Sequence, residues 1–363
     1  MSRARELADL SNVINKGANL QPNLIINGDM SVAQRGTSST SDGFQTVDRF
    51  RNNIAGCSVT QSQESLTTGS PYNEGFRKFY RQTNTSTSSA TSAMVQVFQP
   101  IEAQNLANTN WNYVSSSSYI TLSFWVRSSL AGTYNVELRT LDGTGQLYAT
   151  QFTLEANTWT KITKSISGNS GITIDNDNNA GLYVSFIAHY GTDFTDSGFT
   201  YDSWAAFSGG SRSSDFAQNW SNTASATFDL TGVSLVVGDS APVTHPYESY
   251  SENLQRCQRY FEKSAAPNAS LIDTSSGYVN IRDGTASTVV RYYSQRYSVV
   301  KRAVPTVTLY DAAGNTGKVR LDSTNNLAAN IFGSGASGFA LYATSGGISH
   351  YGIHYGFYAE SEL

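Results

Sequence analysis

FDLTGVSLVVGDSAPVTHPYESYSENLQRCQRYFEK, residues 228–263, joins an alternating apolar run to an amphipathic one. Val233, Leu235 and Val237 recur at every second position, the period of a half-buried strand. From Ser249 to Lys263, Leu254, Cys257, Tyr260 and Phe261 fall on one helical face, and Glu252, Gln255, Arg256, Arg259 and Glu262 on the other. Ser249 or Ser251 stands where an N-cap belongs, although the capping-box glutamate reads as out of place. The stretch is therefore the closing strand of a β-sandwich and its exit helix. Upstream, PNLIINGDMSVAQRG (residues 22–36), followed by VDRF from Val47, reads as the opening strand of the same sandwich.

Between these brackets the alternation repeats. Ile120, Leu122, Phe124 and Val126 alternate with Thr121, Ser123, Trp125 and Arg127, and similar runs start at Tyr134 and Leu182. Short strands separated by Gly, Asn and Ser turns argue for an antiparallel sandwich or jelly roll. Ile101 to Asn108 is read as a turn. After Ala265 the pattern restarts, with strands expected at Thr288 to Tyr293, Val304 to Tyr310 and the aromatic C-terminus. The expected fold is all-β: two antiparallel, jelly-roll-like β-sandwich domains with a short N-terminal helix and a linking amphipathic helix. The boundaries are 1–21 for the N-terminal anchor, 22–248 and 265–363 for the sandwiches, and 249–264 for the linking helix.

In the N-terminal segment Leu7, Leu10 and Ile14 keep the spacing of a coiled-coil seam. Two heptads hold no coil alone, so this is a helix packed on its own sandwich or a docking peptide. The apolar face of the second helix, with Leu254, Tyr260 and Phe261, calls for a partner, either the flank of the sandwich or the same helices of a trimer.

These segments resemble a family of tailed-bacteriophage virion proteins, tail fibres and related appendages. Chains of that family begin N-L-L-I-N-G-D-F-S-V-x-Q-R-G with Y-x-x-D-R-W, close their sandwich with T-G-V-Q-L-E-V-G, continue E-L-x-x-C-Q-R-Y-Y and end A-D-A-E-L. Here the end is AESEL, Met30 replaces the usual Phe, and Val236 stands where the family has Glu. The resemblance implies a virion structural protein made in the host cytoplasm. It would bind other virion proteins through its N-terminus, form a homotrimer and contact host-surface polysaccharide. Two other classes stay open: a tail adaptor or head-decorating protein, and a carbohydrate-binding module of a secreted glycan-degrading system.

The composition sets limits. The 363 residues carry a net charge of −4, which supplies no basic footprint for nucleic acid. Charged residues make up 14%, against about 25% in ordinary soluble domains, so polarity rests on Ser, Thr, Asn, Gln and Gly. No run of apolar residues reaches the length of a membrane span, so no membrane insertion is expected, and the N-terminus lacks a secretory signal pattern. Cys57 and Cys257 are read as buried free thiols rather than a disulfide.

Enzymatic signatures are missing, and none of the four histidines falls in a catalytic motif. His350 and His354 would lie on one face of a strand about 13 Å apart, read as two exposed imidazoles. Asp175, Asp177 and Asn179 begin like a calcium loop, but Ala180 and Phe186 occupy the positions that need Gly and Glu, which leaves a polar turn. No cofactor is required on this reading. Jelly-roll carbohydrate-binding modules, which the first domain also resembles, often tie their first and last strands with structural calcium. The matching positions here are Asn27, Asp29 and Asp229.

Tyr190 to Trp220 is the most ligand-like segment, because it is long for a loop and mixes aromatic and polar residues. Its carbohydrate-binding candidates are Tyr190, Tyr201, Arg212 and Trp220, with Trp125 added because it alternates outward from its strand. Trp204 and Trp220 can equally plug the end of the sandwich, and Trp111 and Trp159 are assigned to the core.

Overall fold

The alternating runs pair as strands through most of the described residues. The structure, a computed structural model, describes residues 22–240, 245, 248–275, 277–287, 291–321, 324–343 and 350–363, so the anchor with Leu7, Leu10 and Ile14 lies outside the described residues. The first twelve strands are β1 (Ser38–Ser39), β2 (Arg51–Ala55), β3 (Ser58–Ser65), β4 (Lys78–Ser86), β5 (Met94–Glu102), β6 (Tyr119–Ser128), β7 (Gly132–Thr140), β8 (Gln146–Leu154), β9 (Thr160–Ser167), β10 (Ala180–Tyr190), β11 (Trp204–Ala206) and β12 (Thr227–Val237). They form two antiparallel sheets, ordered β1-β3-β4-β12-β6-β9 and β11-β8-β7-β10-β5-β2. Ile120, Leu122 and Phe124 of the first sheet meet Val136, Leu138 and Phe186 of the second in one core. This is the expected jelly-roll-like sandwich.

The helices are α1 (Ser70–Asn73), α2 (Ala103–Ala107) and α3 (Tyr250–Gln258). The segment read as a turn at Ile101 to Asn108 contains α2, because Ala103 and Leu106 are drawn into the core. The capping box of α3 is complete: Ser249 Oγ accepts from the Glu252 amide at 3.3 Å, and Glu252 accepts from the Ser249 amide at 2.8 Å. Counting from Ser249 puts Glu252 in place. The helix stops at Gln258, short of the expected Lys263, because Phe261 to Lys263 is taken into a sheet.

That sheet comprises β13 (Phe261–Lys263), β14 (Val279–Ser287), β15 (Arg291–Arg296), β16 (Thr306–Tyr310), β17 (Lys318–Leu321), β18 (Thr324–Gly335), β19 (Gly338–Ala343) and β20 (His350–Glu360). Long β20 is flanked by β13 and β14 on one side and by β16 and β17 on the other. The sheet buries its own cluster, including Leu309, Leu321, Leu341, Ile353 and Phe357. His354 sits within β20 and is half-buried rather than exposed; of the His350 side chain nothing is described.

The opening stretch is not a strand. Residues 22–36 run as bends and turns, yet most of them are buried. Buried backbone must find partners, and here side chains supply many of them, beside main-chain bonds from the Leu24 amide to the Leu235 carbonyl and from the Val233 amide to the Gly28 carbonyl, both 2.9 Å. Asn23 Oδ1 accepts from the amides of Ile25 and Leu235, at 3.1 and 2.9 Å. Gln99 accepts from the Ile26 amide at 2.7 Å and donates to the Ile26 carbonyl at 2.8 Å. Asn253 of α3 accepts from the Asn27 amide at 3.1 Å. Asn27 in turn accepts from the Val32 amide at 2.9 Å and donates to the Val32 and Asp48 carbonyls, at 2.9 and 3.0 Å. Asn27 holds φ at 61°, a left-handed value Asn tolerates better than most residues. Gly28 lies against the irregularity of β12 between Thr231 and Ser234, where a β-carbon would overlap the Val233 carbonyl oxygen.

The apolar face of α3 is used within the chain. Leu254, Cys257 and Tyr260 pack on Ile26 and Val32, and the Phe261 ring lies under the Arg35 guanidinium at 3.7 Å. Tyr260 and Phe261 are each 1% exposed, so the helix partner is the flank of the sandwich and not a neighbouring helix. Both cysteines are free; Cys257 is buried as expected, whereas Cys57 is only half-buried.

Replacing Asn27 tests whether these side-chain bonds hold the segment. Asn27→Gly keeps the left-handed backbone but strands three bonds, and should cost about 3 kcal/mol in urea unfolding. Asn27→Ala should cost about 1 kcal/mol more, through the β-carbon strain at positive φ. Equal midpoints for both variants and the wild type would refute the assignment.

Candidate functional site: the loop over the second sheet

Residues facing away from the core on β5, β7 and β10 would form an open sheet face, but the chain covers much of it. The loop from Gly191 to Asn219 folds back, with the Arg212 amide bonded to the Phe194 carbonyl and the Asp196 amide to that of Ser213. This carries the Arg212 guanidinium onto β7 and β5, where it donates to Glu137 Oε2 at 2.8 Å and Gln96 Oε1 at 3.0 Å. Tyr190 lies beneath it, with ring centroid and guanidinium 4.5 Å apart, and its hydroxyl donates to Gln96 at 2.7 Å. Burial pushes the Glu137 carboxyl up and the Arg212 cation pulls against that shift. Such a buried pair orients the loop because either charge left alone would be costly.

The five carbohydrate candidates are therefore distributed differently from the expectation. Tyr190 and Arg212 do come together, but as a buried seal and not an exposed platform. Trp220 is 0% exposed, its indole donating to the Thr227 carbonyl at 3.2 Å, and it plugs the core. Trp125 does point outward from β6. It is nevertheless covered by Leu66, Phe76 and Phe79, and its indole donates to Glu74 at 3.0 Å. Tyr201 is half-buried, with its hydroxyl 2.8 Å from Ser214 Oγ. Trp204 packs on Tyr148 and Trp111 lies in the core, as read from the sequence. Trp159 instead joins the outer cluster around Trp125.

Of the residues matched to structural calcium, Asn27 and Asp29 share a network through Asn253, and Asp229 belongs to another. Asp229 is clamped by Arg81 at 2.7 Å and Arg127 at 2.6 Å. Asp29 accepts from Ser31 at 3.0 Å and Asn253 at 3.0 Å, and Asn27 is engaged as described above. Asp175 to Asn179 is a polar turn, in which Asp177 accepts from the Asn179 amide at 3.0 Å.

At the end of the sealed face the loop leaves a cleft of about 220 Å³, lined by His189, Tyr190, Thr192, Asp215, Phe216 and Asn219. Asp215 and Asn219 are exposed and Phe216 half-buried. The His189 ring lies 5.9 Å from that of Phe216, and its buried Nδ1 has no hydrogen-bond partner. Burial pushes this imidazole down to about 4, so it is neutral near pH 7. A cleft of sugar-ring size with an aromatic wall, a neutral imidazole, a carboxylate and an amide suits hydroxyl-rich ligands. Sequence reading missed His189 and Phe216, although both lie in or beside the loop it singled out.

No family model matches the chain, and no curated protein matches it. Among solved structures it is similar to a family 11 carbohydrate-binding module from Clostridium thermocellum in complex with a mixed-linked tetrasaccharide. That likeness has 13% identity over 55% of this chain and 96% of that one, with a TM-score of 0.29. The CBM22-1 xylan-binding domain of Xyn10C from Paenibacillus barcinonensis has 9% identity over 61% and 97%, with a TM-score of 0.28. A cyclase from Fischerella sp. TAU has 10% identity over 61% and 99%, with a TM-score of 0.34. With superpositions this loose, what this chain binds has to be read from its own side chains.

The depressed imidazole makes stability depend on pH. His189 is neutral in the fold and titrates near its ordinary value of about 6.5 when unfolded, so its contribution is full above that value and lost as pH falls towards 4. Between pH 7.5 and 5 the fold should lose about 2 kcal/mol through this group. His189→Gln should abolish that part of the loss, measured by urea unfolding at both pH values; an unchanged pH dependence would refute it.

Proposed function

We propose that this chain is a non-enzymatic structural protein of a tailed-phage virion. In this reading it is a tail fibre or fibre-like appendage, attached through its N-terminus, trimeric, and in contact with host-surface polysaccharide at the cleft beside His189. The observation that carries the reading is the use the fold makes of the resembling segments. Residues 22–36, the VDRF turn, α3 and the AESEL end interlock at one junction: Arg49 stacks on Tyr260 at 3.4 Å and pairs with Glu362, and Arg35 reaches Glu360 at 3.1 Å. A pattern shared for such a structural purpose supports likeness of architecture as well as of wording.

The sugar part of the reading rests on the cleft. Its polar groups suit hydroxyls, and its aromatic wall suits the apolar side of a pyranose ring. Glu137, Arg212 and Tyr190 bond one another beneath the loop, which supports a structural use of the ionisable groups nearest the cleft. Among the described residues no helix is long and apolar enough to cross a membrane. Three copies would multiply a weak contact by avidity.

Light scattering on the full chain should give a particle near three times 39.3 kDa; a monomer would remove the self-assembling fibre. Immobilised bacterial capsular and O-antigen polysaccharides should bind the chain, and Phe216→Ala should weaken binding about tenfold. A chain that binds none of them but associates with virions would be an adaptor or head-decorating protein.

A further inference from the structure

A second aromatic group lies on the C-terminal sheet, on strands that contribute nothing to the cleft. Tyr292 of β15 is registered opposite Tyr342 of β19, with ring centroids 5.6 Å apart. Between β18 and β19 the register slips between Ile331 and Gly333, leaving Phe332 as an extra residue. Its ring lies edge-on to that of Tyr292 at 5.1 Å. Their sequence neighbours Tyr293, Leu341 and Ile331 pack into the sheet's own core, so strand alternation sends these three rings to the other face. Tyr292 is 63% and Phe332 67% exposed. Single exposed aromatics are ordinary, whereas rings in mutual contact make a patch.

The surroundings indicate the occupant. By alternation Arg296 and Lys318 share this face further along β15 and β17, but the registered positions next to the rings are Ser294, Ala340, Asn330 and Gly333, which bear no charge. A protein partner would also use aromatic rings, but a stable interface buries about 1,200 Å² or more, which three rings alone do not supply. An anionic ligand would want a cation among these positions. A neutral sugar needs an aromatic face for its C–H surface and uncharged hydrogen-bonding groups for its hydroxyls. Two phenols, Ser294 and Asn330 are groups of that kind.

We infer that Tyr292, Phe332 and Tyr342 form a carbohydrate platform on which the apolar face of a neutral hexopyranose unit stacks, separate from the cleft beside His189.

Affinity electrophoresis of the full chain through gels containing soluble starch, laminarin, galactomannan or mixed-linkage β-glucan tests the platform. At least one polysaccharide should retard the wild type, and Phe332→Ser and Tyr292→Ser should each weaken that interaction about tenfold. Both rings are exposed, so thermal melting should show both variants folded. Unaltered retardation in the two variants would overturn the platform, as would no retardation of the wild type by any of the four. Retardation lost in Phe216→Ala but kept in Phe332→Ser would place the sugar in the cleft and overturn it too. A fall in particle mass on Phe332→Ser, without any effect on retardation, would assign the face to a second copy of the chain.

Discussion

A buried segment that forms no regular strand must have its peptide groups answered one by one, and here amide side chains do much of it beside two main-chain bonds to β12. Asn23, Asn27, Gln99 and Asn253 bond the backbone of residues 22–36 or that of its immediate neighbours. Each such bond is worth only about 1 kcal/mol net, but an unanswered peptide group in that place would cost more. Because Asn253 belongs to α3, the same bonds that settle the opening segment also fix where the exit helix lies. Because Gly28 rests on β12, they also set the segment against the central strand of the first sheet.

From that junction the chain is tied to its far end. Arg35 and Arg49 stack on Phe261 and Tyr260, and both reach Glu362. Arg259 pairs with Glu102 at the end of β5 at 2.8 Å, and the Ser361 amide bonds to the Tyr260 carbonyl at 2.8 Å. Planar guanidinium groups suit this arrangement, since one group can stack on a ring and bond a carboxylate together. The result is that the C-terminal strand and the opening segment meet at α3, although more than three hundred residues separate them in the chain.

The same economy explains the first sandwich's outer face. Glu137, Gln96 and Tyr190 on a bare face would be solvated polar groups. With Arg212 laid over them they become an anchor for a loop of nearly thirty residues. The loop then defines the His189 cleft at its edge, and the C-terminal sheet leaves its aromatic rings in solvent. Two surfaces with a hydroxyl-compatible character thus arise by different means, one from a loop closing over a sheet and the other from rings that strand alternation leaves on an open sheet face.

Local pattern alone was enough to determine the all-β class, the alternation of β6, β7, β10 and β12, the existence of α3 and the polar turn at Asp175 to Asn179, because each is set by residue spacing within a few turns or pairs. Tertiary structure alone decided that residues 22–36 are not a strand, since their partners are side chains from β5 and α3 and isolated main-chain groups of β12. It also decided that Trp125 is covered, that Arg212 and Tyr190 are sealed, and that Tyr260 and Phe261 are spent within the chain. Alternation tells which way a side chain leaves its strand, but what stands on the other side is contributed by segments distant in sequence. Exposure, and with it the location of any binding surface, is therefore a property of the assembled fold.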